Sequence, residues 1–296
     1  MDPILGLGAF ALALLHFPLT PALDPGPSPE CPADMRLVVG THYDDEQHLC
    51  IDPRPDAKTT HCFAYFEGLT AEEGKATPIR VCMDQYEAPN IRGHKPFVMK
   101  SFESAKRWCG DRGKRVCSEQ EWELACAGPE HRPLAYGWAV DVKVCNSNKP
   151  WRPFDVKRLY SKDSAEQEAE IQKLWQGSPS GAHASCVSSF GIYDMMGNVE
   201  EWVASRPGRA VPGSLMGGFW AKPWTGCRGT NDAHEPTFTF YETGFRCCAD
   251  PGTVTEGGAV ANKTPPAATP ATPGPESGTP AAQPVRGTKK KKKRKR

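Results

Sequence analysis

The stretch FGIYDMMGNVEEW, Phe190 to Trp202, decides how this chain is read. Its centre is an Asp-x-x-Gly-Asn sequence, Asp194 to Asn198, which forms a tight turn; Gly197 can take backbone angles that a side chain forbids. Read alone, it is a plain turn followed by Glu201 on the surface. Its neighbours on either side determine whether it is more than that.

Upstream lie two helices with clear start signals. Ser101 caps SFESAKRWCGDRG, whose Phe102, Ala105, Trp108 and Cys109 share one face, and Gly110 or Gly113 ends it. Ser118 and Glu121 have the spacing of a capping box before a second helix, SEQEWELACAG, with Trp122, Ala125 and Cys126 on its apolar face and Gly128-Pro129 as its stop. Earlier still, MRLVV and RVCMDQY read as short strands. From 129 to 250 turn residues recur every few positions, interrupted by one short exposed helix, SKDSAEQEAEIQKLW, over 161–175. A large domain with so little periodic structure needs cross-links.

The chain has 12 cysteines in 296 residues, with no CxxC pair and no zinc spacing. Cysteines spread this way indicate an oxidising compartment. Ile4 to Phe17 is a 14-residue apolar run followed by small residues. It reads as a signal peptide over 1–22, although its start holds Asp2 and no Lys or Arg. Residues 23–30 are a Pro-rich linker, and 31–250 the folded part. Residues 251–288 have too few large apolar side chains to offset chain entropy, so a disordered Pro/Ala/Thr/Gly linker is expected there. Lys289–Arg296 holds eight of the 36 basic residues; without it, 28 basic residues face 35 acidic ones. This polybasic tail suits nucleic acid in a cytosolic protein, an anionic envelope surface or polymer in an exported one, or simple solubilisation. There is no HExxH, G-x-S-x-G, P-loop or dinucleotide fingerprint, so no signature of those catalytic classes.

Taken in order, VCMDQYEAPN, the two helices, FGIYDMMGNVEEW, MGGFW and GFRCCAD resemble the formylglycine-generating enzyme, or sulfatase-modifying factor, family over residues 31–250. The resemblance implies an α+β domain related to C-type lectins, with little regular secondary structure and several disulfides. It implies a calcium site on the quoted stretch, formed by the side chains of Asp194 and Glu201 and the carbonyls of Gly197 and Val199. That chemistry is sound, because calcium takes several oxygens, carboxylate and carbonyl together. Asp84 and Glu87, which could pass for an acid/base pair, belong on this resemblance to a structural strand-turn.

Family enzymes oxidise a cysteine of a client sulfatase to formylglycine with O₂ and a copper(I) ion held by two thiolates, soft ligands for a soft ion. Here the corresponding stretch is GGFWAKPWTGCRG, residues 217–229. Phe219 stands where the family usually has Ser, Lys222 near the place of the first copper cysteine, and only Cys227 remains. Copper is therefore not expected. Cys227 is either a lone reactive thiol, the one catalytic candidate, or a disulfide partner. The resemblance implies Cys109–Cys247 and Cys126–Cys227; Cys145–Cys186 and Cys82–Cys117 are further guesses. Trp202, Phe219, Trp220 and Trp224 read as core or as a recognition surface, and His234 and Arg228 as possible ligand contacts. Two readings follow. One is an exported, non-catalytic or divergent module holding a protein or peptide client in the family groove. The other is an active oxidase acting on a cysteine or other residue of a client.

Overall fold

A computed structural model describes residues 26–55, 60–222 and 225–252. Residues 1–22, read above as a signal peptide, the first three residues of the Pro-rich linker, Trp224, all but the start of the 251–288 segment and the polybasic tail lie outside the described residues. Among the described residues, no helix is long and apolar enough to cross a membrane.

The largest element is a ribbon. Strand β1 (Met35–Cys50) pairs antiparallel with β4 (Tyr65–Asp84), from Met35 opposite Asp84 to Cys50 opposite Tyr65. Register shifts between Tyr43 and Asp45 and between His48 and Cys50 bend it. The short pair β2 (Pro53–Pro55) and β3 (Thr60–Cys62) sits at its far end. Both long strands extend well beyond the segments predicted from sequence. Beyond Gly40 the inward positions are His42, Glu46 and His48, so no apolar alternation marks the strand.

Helix α1 (Phe102–Gly110) starts at a capping box, in which Ser101 and Ser104 bond each other's backbone. After β5 (Arg115–Val116), α2 (Glu119–Ala127) starts at the Ser118–Glu121 capping box and ends at Gly128, whose φ is +73°. Helices α3 (Val156–Leu159) and α4 (Ser164–Leu174) follow, the second burying Glu170, Ile171 and Leu174 rather than lying exposed. The remaining strands are β6 (Glu200–Ala204), β7 (Gly213–Met216), β8 (Thr230–Asn231), β9 (Thr243–Phe245) and β10 (Cys247–Ala249). They complete two four-stranded sheets, ordered β1-β4-β10-β5 and β8-β7-β6-β9. The main core joins Val38, Val81 and Met83 of the ribbon to Trp122 and Leu124 of α2 and to Met195 and Met196 of the quoted turn. A second core packs α1 on Trp202, Leu215 and Phe245.

All twelve cysteines are paired: Cys31–Cys82, Cys50–Cys62, Cys109–Cys247, Cys117–Cys248, Cys126–Cys227 and Cys145–Cys186. The guessed Cys82–Cys117 pair is corrected, and strand geometry explains why. Successive side chains of a strand point to opposite faces. Cys247 therefore reaches α1, and Cys248 the residue just after β5, because β5 pairs with β10. Cys82 packs instead with Cys31 and Met35.

Candidate functional site

The quoted turn is held by unusual backbone and by buried polar groups. Asp194, Gly197 and Asn198 have φ of +59°, +76° and +55°. A Cβ on Gly197 would lie 2.3 Å from the Asn146 carbonyl oxygen, so glycine is required there. Asn198 tolerates its angle because its side chain is fully used. It donates to both oxygens of Glu87 at 2.9 and 3.0 Å and accepts from Asn146 and from the Ser178 backbone. Glu87 thus sits at the centre of the turn, where the Ser180 hydroxyl also donates to it. Burial, then the charges of Asp194 and Glu201, push its pKa well above the ordinary range.

The side chains of the expected calcium ligands are otherwise engaged. Glu201 is buried, not on the surface; Arg246 donates to both its oxygens at 2.6 and 2.5 Å, and the Trp122 indole N–H donates at 2.8 Å. Asp194 accepts from the Gly181 backbone at 2.6 Å, and burial pushes its pKa to about 6. The cation beside Glu201 is a guanidinium. With both carboxylates taken up by protein donors, the side chains of the set do not fit a calcium ion.

The copper segment does not fit its ion either. Cys227 is fully buried and bonded to Cys126 of α2, while Lys222 occupies the other expected position. The chain runs from the turn into β6 and places Glu200 under this segment. The Lys222 ammonium forms an ion pair with Glu200 and lies 5.5 Å from the Phe219 ring centre. Parallel pairing of β6 with β9 brings Glu242 alongside, its carbonyl accepting from the Glu200 backbone at 2.9 Å. Glu242 is 6% exposed and one of its carboxylate oxygens has no partner. Burial, then the Glu200 charge, pushes its pKa to about 9, so it is protonated at neutral pH.

An aromatic cluster adjoins this segment. Trp220 packs on Phe219, Tyr241 and Trp175, and Tyr241 on Phe154 and Phe240. The fully buried Trp220 indole N–H has no partner. At the rim, Trp151 is 56% exposed and hydrogen-bonds Tyr241. His234 stacks on Phe238 at 3.8 Å. Burial lowers its pKa, Glu200 opposes that shift and Lys222 adds to it. Arg228 faces away from these groups, toward the Tyr43 and Asp44 carbonyls and the Glu46 carboxylate. Trp202 and Phe219 are buried in the core.

Glu200 and Glu242 were not singled out by sequence. The signal was one residue away, since in NVEEW the alternation of a strand points Glu200 and Glu201 to opposite faces. Chemically, the site holds two buried carboxyl groups, that of Glu242 protonated, beside an ammonium and aromatic side chains.

The family profile described as "Sulfatase-modifying factor enzyme 1-like domain" matches residues 61–251. The bovine (Bos taurus) "Inactive C-alpha-formylglycine-generating enzyme 2" is 29% identical over 179 residues, covering 53% of this chain and 51% of that protein. The chain therefore spans about half the length of that relative. Among solved structures, PvdO from Pseudomonas aeruginosa is similar at TM-score 0.41 and 16% identity, over 73% of this chain and 94% of that one. CarF is similar at TM-score 0.45 and 14% identity, over 74% and 98%.

Proposed function

The chain belongs to the sulfatase-modifying factor enzyme 1-like family, and from that premise we propose that it is an exported, non-catalytic member that holds a protein or peptide client. One observation carries the proposal: Cys227, the last cysteine in the copper segment, is bonded to Cys126. A disulfide sulfur is neither a thiolate ligand nor a nucleophile. Near the expected place of the first copper cysteine stands Lys222, whose ammonium is paired to Glu200. That a relative of similar sequence carries the word "inactive" in its name supports the same reading.

Export is supported by six disulfides, which persist in oxidising compartments, and by the apolar run before residue 23. The client surface is the segment around Lys222 and its aromatic wall, with Trp151 as the exposed anchor, because large aromatics at a rim dominate binding energy. On this reading Lys289–Arg296 is a tether to an anionic envelope surface or polymer. Calcium is no part of the proposal, since Arg246 already balances Glu201.

The test is a titration of the non-reduced protein with copper(I) against a colorimetric chelator, followed by an assay for oxidation of a cysteine peptide. No stoichiometric copper uptake and no converted peptide are expected. Uptake of one copper per chain together with aldehyde formation would overturn the proposal. Binding is checked on a peptide array, where Trp151→Ala is expected to weaken the peptides retained by the wild type.

A further inference from the structure

The site around Lys222 has an imbalance that the binding-module reading leaves unexplained. Two buried carboxyl groups, Glu200 and Glu242, face one ammonium, and Lys222 is paired to Glu200. Glu242 is left with an oxygen that has no partner although the residue is 94% removed from solvent. Buried polar atoms without partners are rare in native proteins and are usually completed by water or a ligand. The Trp220 indole N–H, on a ring that packs against Tyr241, is also without a partner. The unpartnered Glu242 oxygen, in a side chain more than nine-tenths buried, points to a guest group at this site.

The protein itself indicates the chemistry of that guest. Lys222 shows that a primary ammonium is accepted here, against a carboxylate and near an aromatic ring. Phe219, Phe240, Tyr241 and Trp220 supply further ring faces, which attract cations. Lys222 is one-third exposed, so its head can swing into solvent and vacate Glu200 without disturbing the core. We propose that this is a binding site for a primary ammonium group, carried by a lysine side chain of a client peptide or by a free polyamine, which docks between Glu200 and Glu242 and displaces the Lys222 ammonium. This rests on the binding-module reading and names the group that the module recognises. Burial raises the Glu242 pKa, and a guest cation alongside would favour its ionised carboxylate.

The experiment uses the full, disulfide-intact chain and follows tryptophan fluorescence and titration heat. The probes are putrescine, the blocked tripeptide acetyl-Gly-Lys-Gly-amide, and the same tripeptide with norleucine for lysine. At least one amine is expected to bind, and the norleucine peptide is not. Glu242→Gln, which keeps size and shape, is expected to weaken binding at least tenfold, and Lys222→Met to tighten it severalfold by removing the internal competitor. Binding by the peptide alone assigns the site to a client side chain; binding by putrescine alone assigns it to a free amine. The proposal is overturned if neither amine binds wild type or Lys222→Met, or if the norleucine peptide binds equally well. Should Glu242→Gln fail to fold, Lys222→Met still decides, since unchanged affinity there contradicts displacement. Failure here leaves the non-catalytic reading intact, whereas a free thiol at Cys227 would sink that reading, so the two failures are told apart.

Discussion

Glu242 illustrates how a single residue can be costly to its own fold. Its pKa is about 9 in the folded chain against an ordinary 4.5, so between those values the folded chain holds a proton that the unfolded chain has lost. Stability therefore falls as pH rises through that window, by about 1.4 kcal/mol per pH unit from this group alone. Gln carries no such proton. The gain in melting temperature of Glu242→Gln over wild type is expected to be larger at pH 8 than at pH 5, by calorimetry at both; parallel shifts would contradict the assignment. Glu201 and Arg246 behave oppositely. Removing one partner of a buried ion pair strands the other, so Glu201→Ala is expected to cost about 3–5 kcal/mol in denaturant unfolding. At this scale the sequence was legible where residue type alone decides, as at Gly197. It was not legible where a partner comes from far along the chain. Nothing within reach of Glu201 in sequence signals Arg246, 45 residues away.

Among the elements, the capped helices were readable because their signals are local. Ser118 and Glu121 lie within one turn of each other and bond reciprocally, so Ser118→Ala is expected to cost about 1 kcal/mol in equilibrium unfolding. The quoted turn was readable for the same reason. Gly197→Ala is expected to cost about 3 kcal/mol or more, because the new methyl meets the Asn146 carbonyl at a backbone angle that L-residues avoid. The ribbon was legible only at its apolar end, where MRLVV lies opposite RVCMDQY. Its middle is fixed to α2 and its neighbours by hydrogen bonds between histidine and carboxyl groups, His42 to Glu123 at 2.6 Å and His131 to Glu46 at 2.8 Å. A strand whose inner face is polar leaves no hydrophobic period to detect. The carboxyl pair is not local in sequence for a related reason: parallel pairing of β6 with β9 creates it, and 38 residues lie between Ala204 and Thr243.

For the whole molecule, the disulfides substitute for regular structure. Cys126–Cys227 closes 101 residues of chain, and its loss is expected to cost about 2–5 kcal/mol. Chelation should do far less: the carboxylate expected to hold calcium is paired to Arg246, so EDTA is expected to leave the melting temperature unchanged, whereas reduction of the disulfides should lower it steeply. The family was legible because its blocks are ordered along the chain, and its match covers residues 61–251. Connectivity was legible only in part, since which face of β10 each of Cys247 and Cys248 takes depends on the sheet around it. The central claim is that the copper segment carries no working thiol. The most direct test is a disulfide map of the purified, non-reduced protein by peptide mass spectrometry. The account predicts a peptide joining Cys126 to Cys227 and no alkylatable cysteine. An alkylated Cys227 with Cys126 bonded elsewhere would contradict it and return the oxidase reading to first place.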